Sequence, residues 1–374
     1  MKVINVVGAR PNFMKMAPII EAMNRHPEQI EHLLVHTGQH YDEKMSKAFF
    51  DDLGMPKPDI DLGVGSGSHA EQTARIMVEF EKVCQRERPD LVIVVGDVNS
   101  TMACTITAKK LGVKVAHVEA GLRSRDMGMP EEINRLCTDV LCDYLFTTDH
   151  FADENLRAEG VGAERIVFVG NVMIDTLLKH RQMAEKLGVA KRLGLAKGGY
   201  MTMTLHRPSN VDDKEVFRGI LEALRVLSRD VPIIFPIHPR TRKMAETFGL
   251  MDYFTQGGRV EGIWITEPLG YLEFLHLNCH AKLVLTDSGG LQEETTVLGV
   301  PCLTLRHNTE RPITCEVGTN VVVGNSGERI LAAAREILAR PKGSYGIPEK
   351  WDGKAAERIV EWLMLGQVST LDRR

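Results

Sequence analysis

Residues 286–305, TDSGGLQEETTVLGVPCLTL, hold the arrangement most typical of a binding site. The apolar runs KLVL before it and PCLTL within it predict buried strands. Between them, Ser288, Gly289 and Gly290 open a helix that carries Glu293 and Glu294. Glycines at such a turn let backbone N–H groups converge on an anion, and a carboxylate one turn later can hold ribose hydroxyls. A tight, well-capped turn would have the same local sequence, so the motif alone leaves both interpretations open.

Polar groups also follow predicted strands in the first half of the chain. The turn at Gly8 has Arg10 and Lys15 close behind it, and a glycine-led turn with two cations suits a diphosphate. Asp97 comes directly after the apolar run LVIVV and Gly96. At that position it is either a helix cap or a site residue. Glu119 ends the next strand. For the turn at Gly8, the alternative interpretation is an ordinary solvated turn.

Three further groups complete the candidates. Glu131 and Glu132 follow Pro130 in a predicted first helical turn, where acidic residues are ordinary partners of the helix dipole. His206 and His238 each follow a predicted strand beside an arginine, a pairing that favours an anion site. Arg311 supplies another cation after the strand PCLTLR.

Composition limits the classes of protein to consider. The 374 residues, 43% hydrophobic and 26% charged, predict a two-domain globular enzyme. A formal net charge of -4 gives no indication of nucleic acid or membrane partners. We expect no signal peptide, no apolar run reaches the length of a membrane span, and seven cysteines without a CxxC pair fit the cytoplasm. His276, Cys279 and His280 lack the second half of a four-ligand zinc pattern, so we expect no metal.

Short apolar runs alternate with amphipathic stretches along the chain, which predicts α/β architecture with doubly wound parallel sheets. The alternation pauses from about Asn171 to Leu195, which reads as one long helix and a loop. We therefore predict two Rossmann-like domains, residues 1–170 and 171–352, with a cleft between them. We expect the helix at 353–374 to pack back onto the first domain.

The motifs together resemble those of the non-hydrolysing UDP-N-acetylglucosamine 2-epimerase family, whose fold is glycosyltransferase-B-like. GARPNFMK, VVGDVNST, HVEAGLRS, PEEINR, LHRPSN, TDSGGLQEE and TERP occur in the family's order, and the likeness covers nearly the whole chain. No single motif is specific, whereas the ordered set is.

The resemblance implies a role for each matching residue. Asp97, Glu119 and Glu131 would be the catalytic carboxylates, and His206 would assist at the diphosphate. Glu294 would hold the ribose and Phe274 would lie against the uracil. The remaining predicted binding residues contact the phosphates or the sugar: Arg10, Lys15, Arg135, His238, Ser288, Gly289, Gly290 and Arg311. The resemblance further implies a UDP-sugar partner, no cofactor and a homodimer.

The expected reaction interconverts UDP-N-acetylglucosamine and UDP-N-acetylmannosamine by eliminating and re-adding UDP. GARPNF lacks the GxGxxG fingerprint of dinucleotide binding, so redox chemistry has no support. Three alternatives stay open: a hydrolysing relative, an epimerase of a modified UDP-2-acetamido sugar, or a sugar transferase. A catalytically silent UDP-sugar-binding protein is a fourth, but it has no need for three acids.

The sequence departs from the family pattern in places that bear on regulation. LHRPSN replaces the usual His-Arg-Arg-Glu-Asn, and the interval between HVEAG and PEE is two residues shorter than in the best-known bacterial members. TGQHYDEK keeps Gln39 but has Asp42 where the family has a second glutamine. The departures leave the exact sugar open, and Asp42 and Pro208 together predict a weakened second substrate site.

Overall fold

The computed structural model describes residues 1–38, 54, 57–256, 262–339, 343 and 345–371. It divides the chain into two compact units. Unit 1 contains Met1–Lys179 and Glu349–Arg374, and unit 2 contains His180–Pro348. Within the described residues, no helix combines the length and the hydropathy that a transmembrane span requires.

Unit 1 is built on a parallel seven-stranded sheet in the order β3-β2-β1-β4-β5-β6-β7. Its strands are β1 Lys2–Val7, β2 Glu31–His36, β3 Ile60–Asp61, β4 Leu91–Val95, β5 Lys114–Ala120, β6 Tyr144–Thr147 and β7 Ile166–Phe168. The central strand β4, LVIVV, is buried along its whole length, as expected of a strand covered on both faces.

The helices that follow these strands are α1 Arg10–Met23, α2 His69–Glu87, α3 Asn99–Lys110, α4 Pro130–Leu141, α5 His150–Ala158 and α6 Val172–Lys186. A capping box starts α2, in which Ser68 accepts from the amide of Glu71 while Glu71 reaches back to the Ser68 amide. A 3-10 turn at Ala163–Arg165 precedes β7.

Unit 2 repeats the architecture with a parallel sheet in the order β10-β11-β9-β8-β12-β13-β14. The strands are β8 Met201–Thr204, β9 Ile233–Pro236, β10 Phe254–Gln256, β11 Ile263–Thr266, β12 Leu283–Thr286, β13 Cys302–Thr304 and β14 Asn320–Val322. Aliphatic side chains of these strands pack against Phe217, Ile220 and Leu224 of the amphipathic helix α9 in a fully buried core.

The helices of this second part are α7 Val189–Arg192, α8 Pro208–Val211, α9 Lys214–Leu227, α10 Pro239–Phe248, α11 Tyr271–His280, α12 Gly289–Leu298, α13 Ile313–Glu316 and α14 Gly327–Ala339. A 3-10 turn lies at Met251–Tyr253. The last helix, α15 Ala355–Leu371, belongs to unit 1, where Asp175 accepts from the amides of Ala355 and Ala356.

The fold is thus α/β, with two Rossmann-like parallel sheets as in glycosyltransferase-B-like proteins. Three details differ from the sequence predictions. The division falls at Lys179 and His180, inside α6, rather than at residue 170. The long helix predicted from about Asn171 is present as Val172–Lys186, but the segment after it contains the additional short helix α7, which Gly188 separates from α6 by adopting a left-handed conformation (φ 57°). The two short strands β3 and β10 also lacked an apolar signal.

Candidate active site

The loops after β1 and β4 lie side by side in unit 1, because the strand order reverses between these two strands. Open α/β sheets bind their ligands at such a reversal. The Asn12 side chain accepts from the amides of Gly8 and Ala9 and donates to the Val95 carbonyl at 2.9 Å. It therefore fixes both loops. Gly8 is required here, because a Cβ atom on it would lie 2.2 Å from the Ser100 hydroxyl.

Lys15 and Glu119 form a buried ion pair beside these loops. The Lys15 Nζ lies 2.6 Å from a Glu119 carboxylate oxygen, and their side chains are only 8% and 2% exposed. Glu119 has φ 72°, a rare left-handed value for a residue with a side chain, and the β5–β6 register shifts beside it. Bulges of this kind redirect side chains near functional sites. The strained backbone thus turns the Glu119 carboxylate toward Lys15.

His117 holds the loops after β4 and β5 to helix α4. Its Nε2 donates to the Gly96 carbonyl at 2.8 Å, and its Nδ1 lies 2.6 Å from Asp139. Asp139 also accepts from the Gly121 amide and pairs with Arg123 at 2.7 Å. Burial opposes ionisation of Asp139, but the charges of His117 and Arg123 outweigh it and lower its pKa. The network fixes the backbone on both sides of Glu119.

Helix α4 presents Glu131, Arg135 and Asp139 at intervals of four residues, which places them on one helical face. Arg135 is 1% exposed and lies between two carboxylates, contacting Asp97 at 2.5 Å and Glu132 at 2.5 Å. Glu132 in turn accepts from the Ser124 and Arg125 amides. Arg135 was predicted to bind substrate, and its contacts here are those of a residue that positions Asp97.

Asp97 and Glu131 line one cavity of about 280 Å³ in unit 1. The Asp97 side chain keeps 24% exposure although it is paired with Arg135. The rest of the lining is polar or small: Ser66, Gly67, His69, Gln72, Val98, Asn99, Pro130 and Asn134. Sequence reasoning missed His69, Gln72 and Asn134 as lining residues. Asn134 stood in the motif PEEINR, whereas His69 and Gln72 carried no local signal.

Asp287 organises the corresponding strand ends of unit 2. It is fully buried and accepts from the amides of His206 and Arg207 and from the Asn210 side chain. The His206 Nδ1 lies 2.9 Å from its other oxygen. Burial opposes ionisation of Asp287, but the hydrogen bonds and charge of His206 lower its pKa overall. Sequence reasoning did not single out Asp287, although it lies within TDSGG.

His206 and His238 come together, as their positions after the neighbouring strands β8 and β9 require. Their ring centroids are 6.0 Å apart, and the His206 side chain is 43% exposed. His238 caps helix α10 by accepting from the Arg240 amide at 3.2 Å. Burial, followed by the charges of His206 and Arg240, lowers the pKa of His238. The pair forms a partly exposed imidazole cluster beside Asp287.

Arg311 lies against the first turn of α12. A Cβ atom on Gly289 would lie 2.5 Å from an Arg311 guanidinium nitrogen, which explains why a glycine occupies that position. The guanidinium pairs with Glu293 at 2.8 Å and with Glu310. Ser288 and Gly290 stay partly exposed at the same turn, and no side chain caps the helix. The turn therefore offers backbone donors beside a buried arginine.

Glu294 lies deeper on α12 and is almost completely buried, with 4% of its surface exposed. Its burial, together with the charge of Glu293, raises its pKa to about 8, while the Tyr271 hydroxyl partly offsets this effect. Tyr271 lies at the start of α11, and Phe274 follows one turn later, half-buried. Tyr271 is a further residue that the sequence did not indicate.

Some predictions fall beyond what the structure describes. Arg10 begins α1, but its side chain lies outside the described atoms. Gln39 and Asp42, on which the argument about a second substrate site depends, also lie outside the described residues. Pro208 opens the short helix α8 and lies directly behind His206 and Arg207.

The chain is similar to known proteins over nearly its whole length. Residues 21–364 match the model of the family described as UDP-N-acetylglucosamine 2-epimerase. The UDP-N-acetylglucosamine 2-epimerase of Methanocaldococcus jannaschii is 44% identical, over 98% of this chain and 100% of the relative. The UDP-2,3-diacetamido-2,3-dideoxy-D-glucuronate 2-epimerase of Pseudomonas aeruginosa is 42% identical, over 97% of this chain and 99% of the relative.

Solved structures give the same result. The crystal structure of the M. jannaschii enzyme in complex with UDP-GlcNAc and UDP superposes with a TM-score of 0.89, covering 98% of this chain and 100% of that chain. Sequence, fold and the ordered strand-end motifs agree, and the chain belongs to the UDP-N-acetylglucosamine 2-epimerase family.

Proposed function

We propose that this enzyme interconverts UDP-N-acetylglucosamine and UDP-N-acetylmannosamine without net hydrolysis. The observation that carries the proposal is the clustering of acids in unit 1. Asp97 and Glu131 line one cavity, while Glu119 ends the strand next to that of Asp97 and pairs with Lys15. Relatives that share 44% and 42% of the sequence are both named as 2-epimerases of UDP-sugars.

The chemistry explains why several acids are needed. The C2 proton of a UDP-sugar is not acidic, because no carbonyl group is adjacent to it. Departure of UDP from C1 gives the sugar oxocarbenium character, after which a base removes the C2 proton to form a 2-acetamidoglucal. UDP then adds back while an acid delivers a proton to the opposite face of C2. The scheme needs acid and base groups for both faces and stabilisation of the leaving diphosphate. It requires no cofactor.

Unit 1 would supply the proton-transfer groups. Asp97, Glu119 and Glu131 are the proposed catalytic carboxylates. Lys15 would hold the Glu119 carboxylate in place and stabilise negative charge near the sugar and diphosphate. Arg135 would hold the Asp97 carboxylate in a fixed orientation through their 2.5 Å contact.

Unit 2 would bind the nucleotide. The turn at Ser288, Gly289 and Gly290 offers backbone N–H groups at a helix N-terminus, a common phosphate site. His206 would assist the diphosphate as it leaves, with its ring oriented by buried Asp287. Glu294 would hold the ribose. The remaining proposed contacts are those of Phe274 with the uracil and of Arg10, His238 and Arg311 with the phosphates.

Exchange at C2 tests the reaction. NMR of the purified enzyme with UDP-N-acetylglucosamine in deuterated water should show the manno epimer carrying deuterium at C2. An oxygen label in the bridging position should also scramble into the non-bridging β-phosphate positions. Epimerisation without deuterium uptake would contradict proton removal by an exchangeable base. Continuous release of free UDP and N-acetylmannosamine would instead identify a hydrolysing enzyme.

A modified UDP-2-acetamido sugar is the second candidate substrate, because a 42% identical relative is named as a 2-epimerase of UDP-2,3-diacetamido-2,3-dideoxy-D-glucuronate. The polar cavity that contains His69, Gln72 and Asn134 could accept such a substituent. Parallel measurement of kcat/KM for both UDP-sugars decides between them. A preference of at least about 100-fold for the diacetamido uronate, within the range by which enzymes separate close analogues, would replace the first proposal.

Two further proposals concern the cellular compartment and the oligomeric state of the enzyme. All seven cysteines lie in the described part of the chain as free thiols, which supports a reducing cytoplasm. Family resemblance supports a homodimer. Light scattering after size-exclusion chromatography measures the mass, and a monomer across the working concentration range would contradict the dimer.

A further inference from the structure

Two histidines and a glutamate come together on unit 2 outside the proposed catalytic groups. His276 and His280 are four residues apart on α11, so both side chains lie on one face of that helix. Glu185, near the end of α6, lies beside them. One ligand atom from each residue lies within 4.8 Å of the others. No local sequence pattern connects Glu185 to the two histidines, which are about 90 residues further along the chain.

The orientation of His276 suits a metal ligand. Its Nδ1 lies 3.0 Å from the Ala184 carbonyl, and since a carbonyl can only accept, Nδ1 carries the proton. The lone pair of this 5% exposed residue is therefore on Nε2. Metal-bound histidines characteristically donate their second N–H to a carbonyl or carboxylate in this way.

His280 and Glu185 complete a three-ligand set. The His280 Nε2 lies 2.7 Å from a Glu185 carboxylate oxygen. The His280 Nδ1 is buried and has no hydrogen-bond partner among the described residues. The Glu185 side chain is 54% exposed, so it can adjust its position without disturbing the core.

The spacing fits zinc. Tetrahedral ligands about 2.0–2.1 Å from zinc lie about 3.4 Å from one another. The observed cluster has this scale, because the His280 Nε2 lies 2.7 Å from a Glu185 oxygen and one ligand atom of each of the three residues lies within 4.8 Å of the others. The neighbouring cation Arg192 is paired with Glu273 at 2.6 Å, which reduces its repulsion of a metal ion.

We propose that Glu185, His276 and His280 form a zinc site that joins α6 to α11 on unit 2. A water molecule would take the fourth position. The bound ion would hold α11 in place through His276 and His280. Tyr271 and Phe274 lie on the same helix, so their positions would be held as well. The site is structural, and the cation takes no part in the proposed epimerisation.

Cys279 is not one of the proposed ligands, although it stands between the histidines in sequence. It is adjacent to His280, and adjacent helical residues do not face each other; its thiol is also not among the three ligand atoms that lie within 4.8 Å of one another. The proposal therefore rests on an N2O ligand set.

A zinc titration tests the proposal. The full-length enzyme is first freed of metal with a chelator, and zinc is then titrated in competition with a chromophoric chelator. We expect one zinc equivalent that is lost, or weakened at least about 10-fold, in H276Q and H280Q. E185Q should weaken it as well, and its exposed position leaves folding intact. Zinc should raise the melting temperature of the unmodified enzyme but not that of H280Q. H307Q, which changes an exposed histidine of the same unit, is the matched control.

Cobalt(II) gives an independent readout. The protein should show visible bands of a nitrogen and oxygen site without sulfur-to-metal charge transfer, and C279S should retain them. The proposal is wrong if H276Q, H280Q and H307Q all bind zinc with the same affinity and stoichiometry. Loss of the site in C279S would also overturn the ligand assignment.

Discussion

Replacing Glu294 with glutamine should remove a large pH dependence from the stability of unit 2. The carboxyl is buried beside Glu293, and this environment raises its pKa from 4.5 to about 8. Glutamine keeps the shape of the neutral acid but cannot ionise. The variant therefore isolates the free energy that opposes a buried charge at this position.

The sign follows from proton linkage. Below about pH 4.5 the carboxyl is protonated in both the folded and the unfolded states, and the stability that Glu294 contributes to the folded protein is fully present. Between pH 4.5 and 8 only the unfolded state releases the proton, so stability falls as the pH rises. Above about pH 8 the Glu294 carboxyl ionises in the folded state too, and the stability no longer falls with pH. At about 1.4 kcal/mol for each unit of pKa, the total reaches about 5 kcal/mol.

Thermal melts of the wild type and E294Q at intervals from pH 4.5 to 9 measure this effect. For a domain of 150–250 residues, the expected advantage of the variant at pH 8 is on the order of 10 °C. E267Q, which changes an 85% exposed carboxylate, should follow the wild-type profile as a control. Parallel pH profiles for the wild type and E294Q would refute the assignment of a neutral, buried Glu294.

The proposed ribose contact of Glu294 gives a second test at the same residue. A carboxyl that holds ribose hydroxyls should lose affinity when it is removed, so Glu294→Ala should weaken UDP binding by about 1.5–3 kcal/mol. Calorimetry provides the value at a pH where the variant is folded. Unchanged UDP affinity would exclude Glu294 from the nucleotide site without affecting the stability argument.

The remaining predictions concern the acids, their support and regulation. Changing Asp97, Glu119 or Glu131 to its amide should lower turnover at least about 100-fold with little change in UDP affinity; near-normal turnover in all three amides would contradict the assignment. His117→Asn should lower kcat by up to about 100-fold but leave KM nearly unchanged, because the ring only positions the Gly96 loop and Glu119; a normal kcat would show that the loop holds its own shape. Asp42 would repel a second diphosphate, so the reaction from purified UDP-N-acetylmannosamine should proceed without added UDP-N-acetylglucosamine. A lag abolished by a trace of the gluco epimer would show that a second substrate site operates.

Much of the architecture is visible in the sequence, because periodicity reports it locally. Runs such as LVIVV and PCLTL identified the central strands, and strand ends in parallel sheets collect polar residues at one edge. Asp97, Glu119 and His206 were placed correctly at those ends. The edge strands β3 and β10 were missed, since two- and three-residue strands at a sheet edge need no apolar run.

The roles of individual side chains depended on contacts between distant segments. Arg135 was predicted from the sequence as a substrate cation, and the fold adds that it is buried between Asp97 and Glu132. Asp287 gave no special signal, although it holds the His206 loop from about 80 residues away.

Sequence alone therefore determined the fold class, the family and the set of chemical groups, because each depends on periodicity or on ordered local motifs. Only the tertiary structure decided how those groups are tuned. The left-handed backbone of Glu119 depends on the packing of β5 against β6, and the raised pKa of Glu294 depends on burial beneath α11. Burial and backbone strain come from long-range packing, which the residues near a motif do not report.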